Sequence, residues 1–236
     1  MNLKRYSILP FFIILIYVFV LSCSKMDSTY KDFVKDGEII YPGKVDSVKA
    51  YPGNNRINLS MLLISDPKIS KVKMFWNNGT NEESVEKTIQ RTSGVDTVWF
   101  SINNLAEGTY TFTIYTYDND GNRSVKTEKI GTVYGDRYIS QLVNRAVKSA
   151  TYVTSIKGAV VKWFGVGSEV VGEEIIYTDS LNVVKKQIEK YASPADSVTT
   201  LPAYKKGSSF QYRTLYKPTP VAIDTFYSNV ETKQVL

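Results

Sequence analysis

The chain has 236 residues, 43% hydrophobic and 22% charged, with a formal net charge of +6. Those values suit one or two globular domains with real cores. No histidine and a single cysteine are present, which excludes Ser-His-Asp and Cys-His catalysis, histidine-ligated zinc, imidazole pH sensing and any intramolecular disulfide.

Residues 1–22 open with basic Lys4 and Arg5, and an apolar run of 14 residues follows from Ile8 to Leu21. This run is shorter than the roughly 20 residues of a membrane-spanning helix and fits the core of a signal peptide. A cysteine directly after it resembles a bacterial lipoprotein signal, which implies that Cys23 is diacylated and becomes the mature N-terminus. Val20-Leu21-Ser22-Cys23 departs from the usual box before such a cysteine, although Ser22 is suitably small; an ordinary signal peptide or an uncleaved anchor is the alternative. Loss of Lys4 and Arg5 lowers the formal charge from +6 to +4. Residues 23–37, polar and without periodicity, read as a lipidated tether, and the membrane is an expected partner through the lipid on Cys23.

A first domain is expected over residues 38–131. Seventeen tyrosines and many Val, Ile and Thr favour β structure. Val45 to Tyr51 and Arg56 to Leu63 read as strands joined by the turn Pro52-Gly53-Asn54-Asn55. Lys71 to Trp76 alternates, which sends Val72, Met74 and Trp76 to the core and Phe75 outward. Asn77-Asn78-Gly79 is a turn, Ser84 to Gln90 a further strand, and Asp96 to Ile102 another, with Trp99 out of phase with Val98, Phe100 and Ile102.

The most informative stretch is NLAEGTYTFTIYTYDNDGNRS, Asn104 to Ser124. A corner, Leu105 to Thr109, leads into a strand from Tyr110 to Tyr117 whose Tyr110, Phe112 and Ile114 share one face. Asp118 to Asn122 favours a tight turn before the next strand. A leucine, a short corner and an aromatic opening the following strand resemble the junction of the fifth and sixth strands in fibronectin type III domains. The resemblance implies a two-sheet sandwich.

The second half, 132–236, echoes the first. KMFWNNG at Lys73 to Gly79 resembles VKWFGVG at Val161 to Gly167. GVDTVWFSINNLAEGTYTFTIYTYD resembles SPADSVTTLPAYKKGSSFQYRTLYKP, with Phe210 in the place of Tyr110. The reading is all-β: two tandem fibronectin type III or immunoglobulin-like sandwiches, the second more divergent. Tyr138 to Val147 reads as a linker into the second domain's first strand, with a short helix as the alternative.

Three groups of residues invite a functional reading. Asp118, Asp120 and Asn122 mimic the opening of a calcium loop, but Gly121 and Lys129 fall at the wrong positions, and a hairpin turn explains the same residues. Phe75, Trp99, Tyr115 and Tyr117 are expected to face outward, as platforms for sugar rings or as packing surface against the second domain. The adjacent pairs Glu82-Glu83 and Glu173-Glu174 point to opposite faces of a strand, unlike the paired acids of a glycosidase. No catalytic residue, cofactor or metal is assigned. Lysine pairs such as Lys185-Lys186 and Lys205-Lys206 read as guards of strand edges, and no nucleic-acid partner is expected.

The order of lipoprotein cysteine, NLAEGTYTFTIYTYDNDGNRS, GDRY, LVNR and YRTLYKPTPVAIDTFYS resembles a Bacteroidetes outer-membrane lipoprotein family of unknown function. Relatives in that family are often linked to starch-utilisation-type import systems. The resemblance implies a lipid-anchored, non-enzymatic protein of the outer membrane and cell surface. Its expected role is glycan binding or accessory service in polysaccharide capture; the alternatives are an adhesin or scaffold docking other envelope proteins, or an unrecognised glycoside hydrolase.

Overall fold

A computed structural model describes residues 41–236 apart from 65, 78, 80 and 191–194. The leader (1–22), Cys23, the tether (23–37) and Asn78 therefore lie outside the described residues. Pro42–Leu236 forms one compact unit.

Seven strands make the first sandwich: β1 (Asp46–Pro52), β2 (Arg56–Leu63), β3 (Lys71–Asn77), β4 (Glu82–Thr88), β5 (Asp96–Asn103), β6 (Gly108–Tyr117) and β7 (Thr127–Val133). They form two antiparallel sheets ordered β1-β2-β5 and β4-β3-β6-β7. That order is the fibronectin type III arrangement expected above. β7 continues through Val133, across the expected boundary at 131.

Alternation decides what is inside. Val72, Met74 and Trp76 from β3 meet Tyr110, Phe112 and Ile114 from β6, and Ile57, Leu59, Met61 and Leu63 from β2 cover them from the other sheet. Complete burial of each such side chain is worth about 1.5–3 kcal/mol. At the corner, Asn104 takes a positive φ of 59°, and the Tyr110 hydroxyl donates to the Ala106 carbonyl at 2.8 Å.

The second sandwich repeats the plan with β8 (Val147–Val153), β9 (Gly158–Trp163), β10 (Val170–Thr178), β11 (Val184–Lys190), β12 (Ser197–Leu201) and β13 (Ser209–Tyr216). Its final strand is split into β14 (Phe226–Tyr227) and β15 (Glu231–Gln234), which pair successive parts of β13. The sheets are β12-β9-β8 and β11-β10-β13 with β14 and β15. As the echo predicts, β12 and β13 stand where β5 and β6 stand, and Phe210 and Leu201 are buried.

Two expectations need correction. KMFWNNG and VKWFGVG occupy different strands: Trp76 sits on the third strand of its sandwich, whereas Trp163 ends the second. Either strand can supply an inward position, and Trp163 fills it by donating its indole N–H to Thr199 on β12 at 3.0 Å. Between the sandwiches, the less favoured reading applies in part: a short helix, α1 (Asp136–Ser140), precedes and overlaps the start of the segment read as a linker. Its Arg137 and Tyr138 N–H groups donate to the Glu107 carboxylate at 2.8 and 3.0 Å, satisfying two of the free donors at a helix start.

Candidate functional site

The four aromatic candidates separate onto opposite faces of the first sandwich. Phe75 on β3 and Tyr115 on β6 point outward side by side, ring centroids 6.0 Å apart and edge to face. Tyr117 lies further along the same face. Each ring there already carries a cation: Lys73 over Phe75 at 5.1 Å, Arg123 over Tyr115 at 4.6 Å and Lys71 over Tyr117 at 5.2 Å. A shallow groove of about 350 Å³ runs along Phe75, Thr113, Tyr115 and Arg123, rimmed by Glu82 and Glu128.

Trp99 belongs to the other sheet. It is 48% exposed and stands 5.2 Å from the Tyr51 ring, tilted by 31°. The Tyr51 hydroxyl shares a hydrogen bond with the Ser60 hydroxyl at 3.2 Å. Asn58 and Ser101, paired across β2 and β5, flank the rings, and no cation covers Trp99 among the described residues. The arrangement is an open aromatic pair with Asn58, Ser60 and Ser101 beside it and Lys49 across from Ser60, a partner for Trp99 that periodicity alone did not reveal.

The calcium-like residues form a turn. Asp118 Oδ1 accepts the N–H groups of Asp120 and Asn122 at 3.0 and 2.9 Å, and its Oδ2 accepts the Asn122 side-chain amide at 2.8 Å. Those bonds, the Asn122 side chain first, hold its carboxyl below the ordinary value against the opposing effect of burial. Both carboxylate oxygens are thus engaged in closing the hairpin. No cluster of three or more acidic, Cys or His side chains suited to a metal occurs among the described residues.

The acid pairs also divide by face. Glu174 lies on the outer side of β10, bridged by Lys186 at 2.6 Å and Arg213 at 2.9 Å. Glu173 points inward and is fully buried, with Arg145 Nη1 at 3.3 Å from its Oε1. Arg145 also donates to the carbonyls of Phe164 and Ala195 at 2.5 and 3.0 Å. Burial drives the Glu173 carboxyl upward, and the Arg145 guanidinium opposes it only in part.

Sequence reasoning missed the joint between the sandwiches, which gathers most of the quoted motifs. Asp224, in the loop between β13 and β14, receives the Arg56 guanidinium at 2.5 and 2.9 Å and the Asn54 N–H at 2.8 Å. Arg56 foremost, then Asn54, holds the Asp224 carboxyl below its ordinary value despite burial. Beside it the Ile223 N–H donates to the Pro52 carbonyl at 2.9 Å. A Cβ on Gly53 would lie 2.5 Å from Asp224 Oδ2, so this close approach requires glycine.

An aromatic trio fills the interior of the joint. Tyr134 is 4.7 Å from Tyr138 and 5.8 Å from Phe226, and Tyr138 is 5.1 Å from Phe226. Burial pushes the Tyr138 phenol up to about 12. Next to the trio, Asn144 and Arg145 of LVNR dock onto β13 and β14. Asn144 Oδ1 accepts from Thr214 N–H at 3.1 Å and the Ser228 hydroxyl at 2.6 Å, and Arg145 N–H donates to Thr214 at 2.7 Å. Glu107 of NLAEGTY, α1 of GDRY and Asp224 of VAIDTFYS therefore hold one interface. The signal for it was the motifs themselves, which sit too far apart in the chain for spacing to pair them.

Three solved structures show similarity at low identity. The FN1-FN3 domains of chicken CNTN1 are 13% identical over 84% of this chain and 69% of theirs, with a TM-score of 0.43. A two-domain fibronectin type III segment of chicken tenascin is 13% identical over 82% and 99%, at 0.33. The chicken interferon gamma receptor alpha chain is 12% identical over 82% and 98%, at 0.35. No curated protein matches the sequence. Residues 23–226 match DUF4998, a domain of unknown function, and the chain belongs to that family.

Proposed function

We propose that this protein is a lipid-anchored, non-enzymatic scaffold of the bacterial outer membrane, an accessory of a surface glycan-capture system of the Bacteroidetes type. The observation that carries the reading is the joint. Two sandwiches are fixed by a bidentate Arg56–Asp224 pair, a helix held by Glu107 and an aromatic trio. A pair of modules locked in this way holds its outer faces at a set distance and angle, which is what a presenting arm requires. Anchoring is supported by the signal-like leader and by the start of the family match at Cys23.

Two measurements test this reading. Cys23→Ser is expected to move the protein from the membrane to the soluble fraction; retention in the membrane ends the anchored reading. Asp224→Ala in the chain from Ser24 onward should leave both sandwiches folded while small-angle scattering broadens the distance distribution. An unchanged distribution would mean that the joint is not what fixes the pair.

Direct glycan binding is a second reading, supported by the open Trp99–Tyr51 pair. CH groups of a sugar pack on such rings while Ser60, Asn58 and Ser101 meet hydroxyls. The Phe75–Tyr115–Tyr117 face is the weaker platform because a sugar must first displace Lys73, Arg123 or Lys71. A polysaccharide panel should then show saturable binding that Trp99→Ala abolishes and Phe75→Ala spares. The opposite pattern moves the site to the groove, and no binding at all leaves the scaffold role alone.

A further inference from the structure

The same end of each sandwich meets a different fate. In the first, the β1–β2 turn, the β5–β6 corner and the exit of β7 are covered by the joint. In the second, the β8–β9 turn (154–157) and the β12–β13 corner (202–208), which match the first two, lie beside the β10–β11 turn (179–183), and among the described residues nothing covers their exposed side chains. Ser180 N–H donates to the Ala203 carbonyl at 2.7 Å, and Lys205 Nζ reaches Asn182 Oδ1 at 2.7 Å. Lys206 stands 5.7 Å over the Tyr152 ring beside the third turn.

This tip combines two kinds of exposed side chain. Leu181 is 80% exposed, Ile156 48% and Val183 47%. Asp179 fixes the hairpin that carries two of them, accepting the Leu181 and Val183 N–H groups, both at 2.9 Å. Lys157, Lys205 and Lys206 surround them, and none of the three has a carboxylate partner among the described residues. Asp179, the acid within these turns, is buried and already bridged by Lys185 at 3.5 Å.

The corner residues sharpen the contrast. Glu107 stands immediately before Gly108 and reaches across to the N–H groups of the next element. At the corresponding place before Gly207 the second sandwich has Lys206. One corner presents an acceptor that is already engaged, and the other presents a cation without a counter-charge. We propose that the tip formed by Ile156, Leu181 and Val183, ringed by Lys157, Lys205 and Lys206, is a docking surface for a protein whose face has an apolar centre and a carboxylate rim. Aliphatic side chains inside a charged ring follow the core-and-rim plan of protein interfaces. Sugar platforms instead use flat rings. The choice of a protein over a lipid surface rests on the anchored reading, because strand direction puts the tip opposite the start of β1, where the chain from Cys23 enters.

The test uses the chain from Ser24 onward, so that no lipid contributes, with three probes: poly(Glu,Tyr) copolymer, poly-glutamate, and vesicles of phosphatidylglycerol. The copolymer should bind at least tenfold more tightly than poly-glutamate, and vesicles should not bind. Leu181→Ser with Val183→Ser, and separately Lys206→Glu, should each weaken copolymer binding at least tenfold. Val198→Ser, at an exposed position on β12, should change nothing, and circular dichroism should show every variant folded. Equal binding of both polymers reduces the tip to a charge patch and overturns the proposal. Vesicle binding lost in the double variant makes it a lipid surface, while dimerisation lost in that variant assigns it to a second copy; either overturns it. Failure of Cys23→Ser to release the protein from membranes would sink the anchored reading without altering these solution results.

Discussion

The two sandwiches share a strand order and differ in what lies between their sheets. The first encloses an uninterrupted set of apolar side chains, Ile57, Leu59, Met74, Phe112 and their neighbours. The second encloses Trp163, Ile175, Phe210 and Tyr212 beside a buried Arg145–Glu173 pair. One strand plan thus tolerates either solution, provided the buried guanidinium finds partners for most of its donors. Arg145 donates to two carbonyls besides Glu173, and Tyr212 donates its hydroxyl toward the Arg145 carbonyl at 3.0 Å. Among the described residues four buried side-chain atoms have no hydrogen-bond partner: Glu173 Oε2, Ser197 Oγ and Thr219 Oγ1 in the second half and the Trp76 indole nitrogen in the first.

The largest test of that contrast is removal of one partner. Glu173→Ala should cost the second sandwich about 3–5 kcal/mol, because Arg145 keeps its charge in the interior. Chemical denaturation followed by hydrogen exchange at β13 and β6 amides would separate the two modules. Replacing both residues, Arg145→Met with Glu173→Leu, should restore most of the loss or exceed it. If the double variant is as unstable as the single one, the pair is needed for its hydrogen bonds rather than for its charge balance.

A pH series gives the next effect. Because the Glu173 carboxyl is raised in the folded state, the native protein holds a proton that the unfolded chain releases above about 4.5. Its contribution is therefore fully present below that pH and fades as pH rises toward neutrality. Asp96 and Asp118 in the first sandwich are shifted the other way, Asp96 chiefly by the Thr92 hydroxyl and Asp118 chiefly by the Asn122 side chain. Their contribution is present above about 3.8 and lost as pH falls. Between pH 4.5 and 7 the exchange protection of β13 should decline while that of β6 stays level, and Glu173→Gln should flatten the β13 curve. Parallel curves in the unaltered protein would show that Arg145 fully compensates the buried carboxylate.

Smaller effects compare the two corners. Tyr110→Phe removes the bond to Ala106, and Tyr204→Phe removes the matching tie to the Ser208 carbonyl at 2.8 Å. Each should cost about 1 kcal/mol in the melting of its own module. Unequal losses would show that tying the corner from its entry differs from tying it at its exit. Smallest of all, Ala203 holds a φ of 50° where Asn104 holds 59°. Ala203→Gly should gain up to about 1 kcal/mol and Asn104→Gly almost nothing, since asparagine tolerates that region better than alanine.

Much of the first sandwich was legible from sequence because period-two alternation was clean. Val72, Met74 and Trp76 could face only inward, and Trp99, out of phase on its strand, could face only outward. The second was harder to read because its third strand, β10, sends Glu173 into the interior, a residue type little expected there, and shields Glu174 on its outer side beneath Lys186 and Arg213. That strand has no tryptophan, and the aromatic pattern most like KMFWNNG lies on β9 instead. Of the candidate site, the outward direction of Phe75 and Tyr115 was readable, but not the cations above them. Arg123 comes from a turn after β6, and such cross-element contacts leave no local pattern. The joint was hidden for a stronger reason: Arg56 and Asp224 are 168 positions apart.

That separation has a consequence for biosynthesis. Every strand of the first sandwich is complete once Val133 has been made, and Tyr134 and Leu105 already bond the β1–β2 turn, yet the Arg56 guanidinium and the Asn54 N–H wait for Asp224. During the interval Arg56 and the backbone of Asn54 face water, and the module must stand on its core alone. The Glu107 contacts to α1 can form early, and the Arg56–Asp224 clamp closes last. The clamp between the modules thereby also reports that synthesis has passed Asp224.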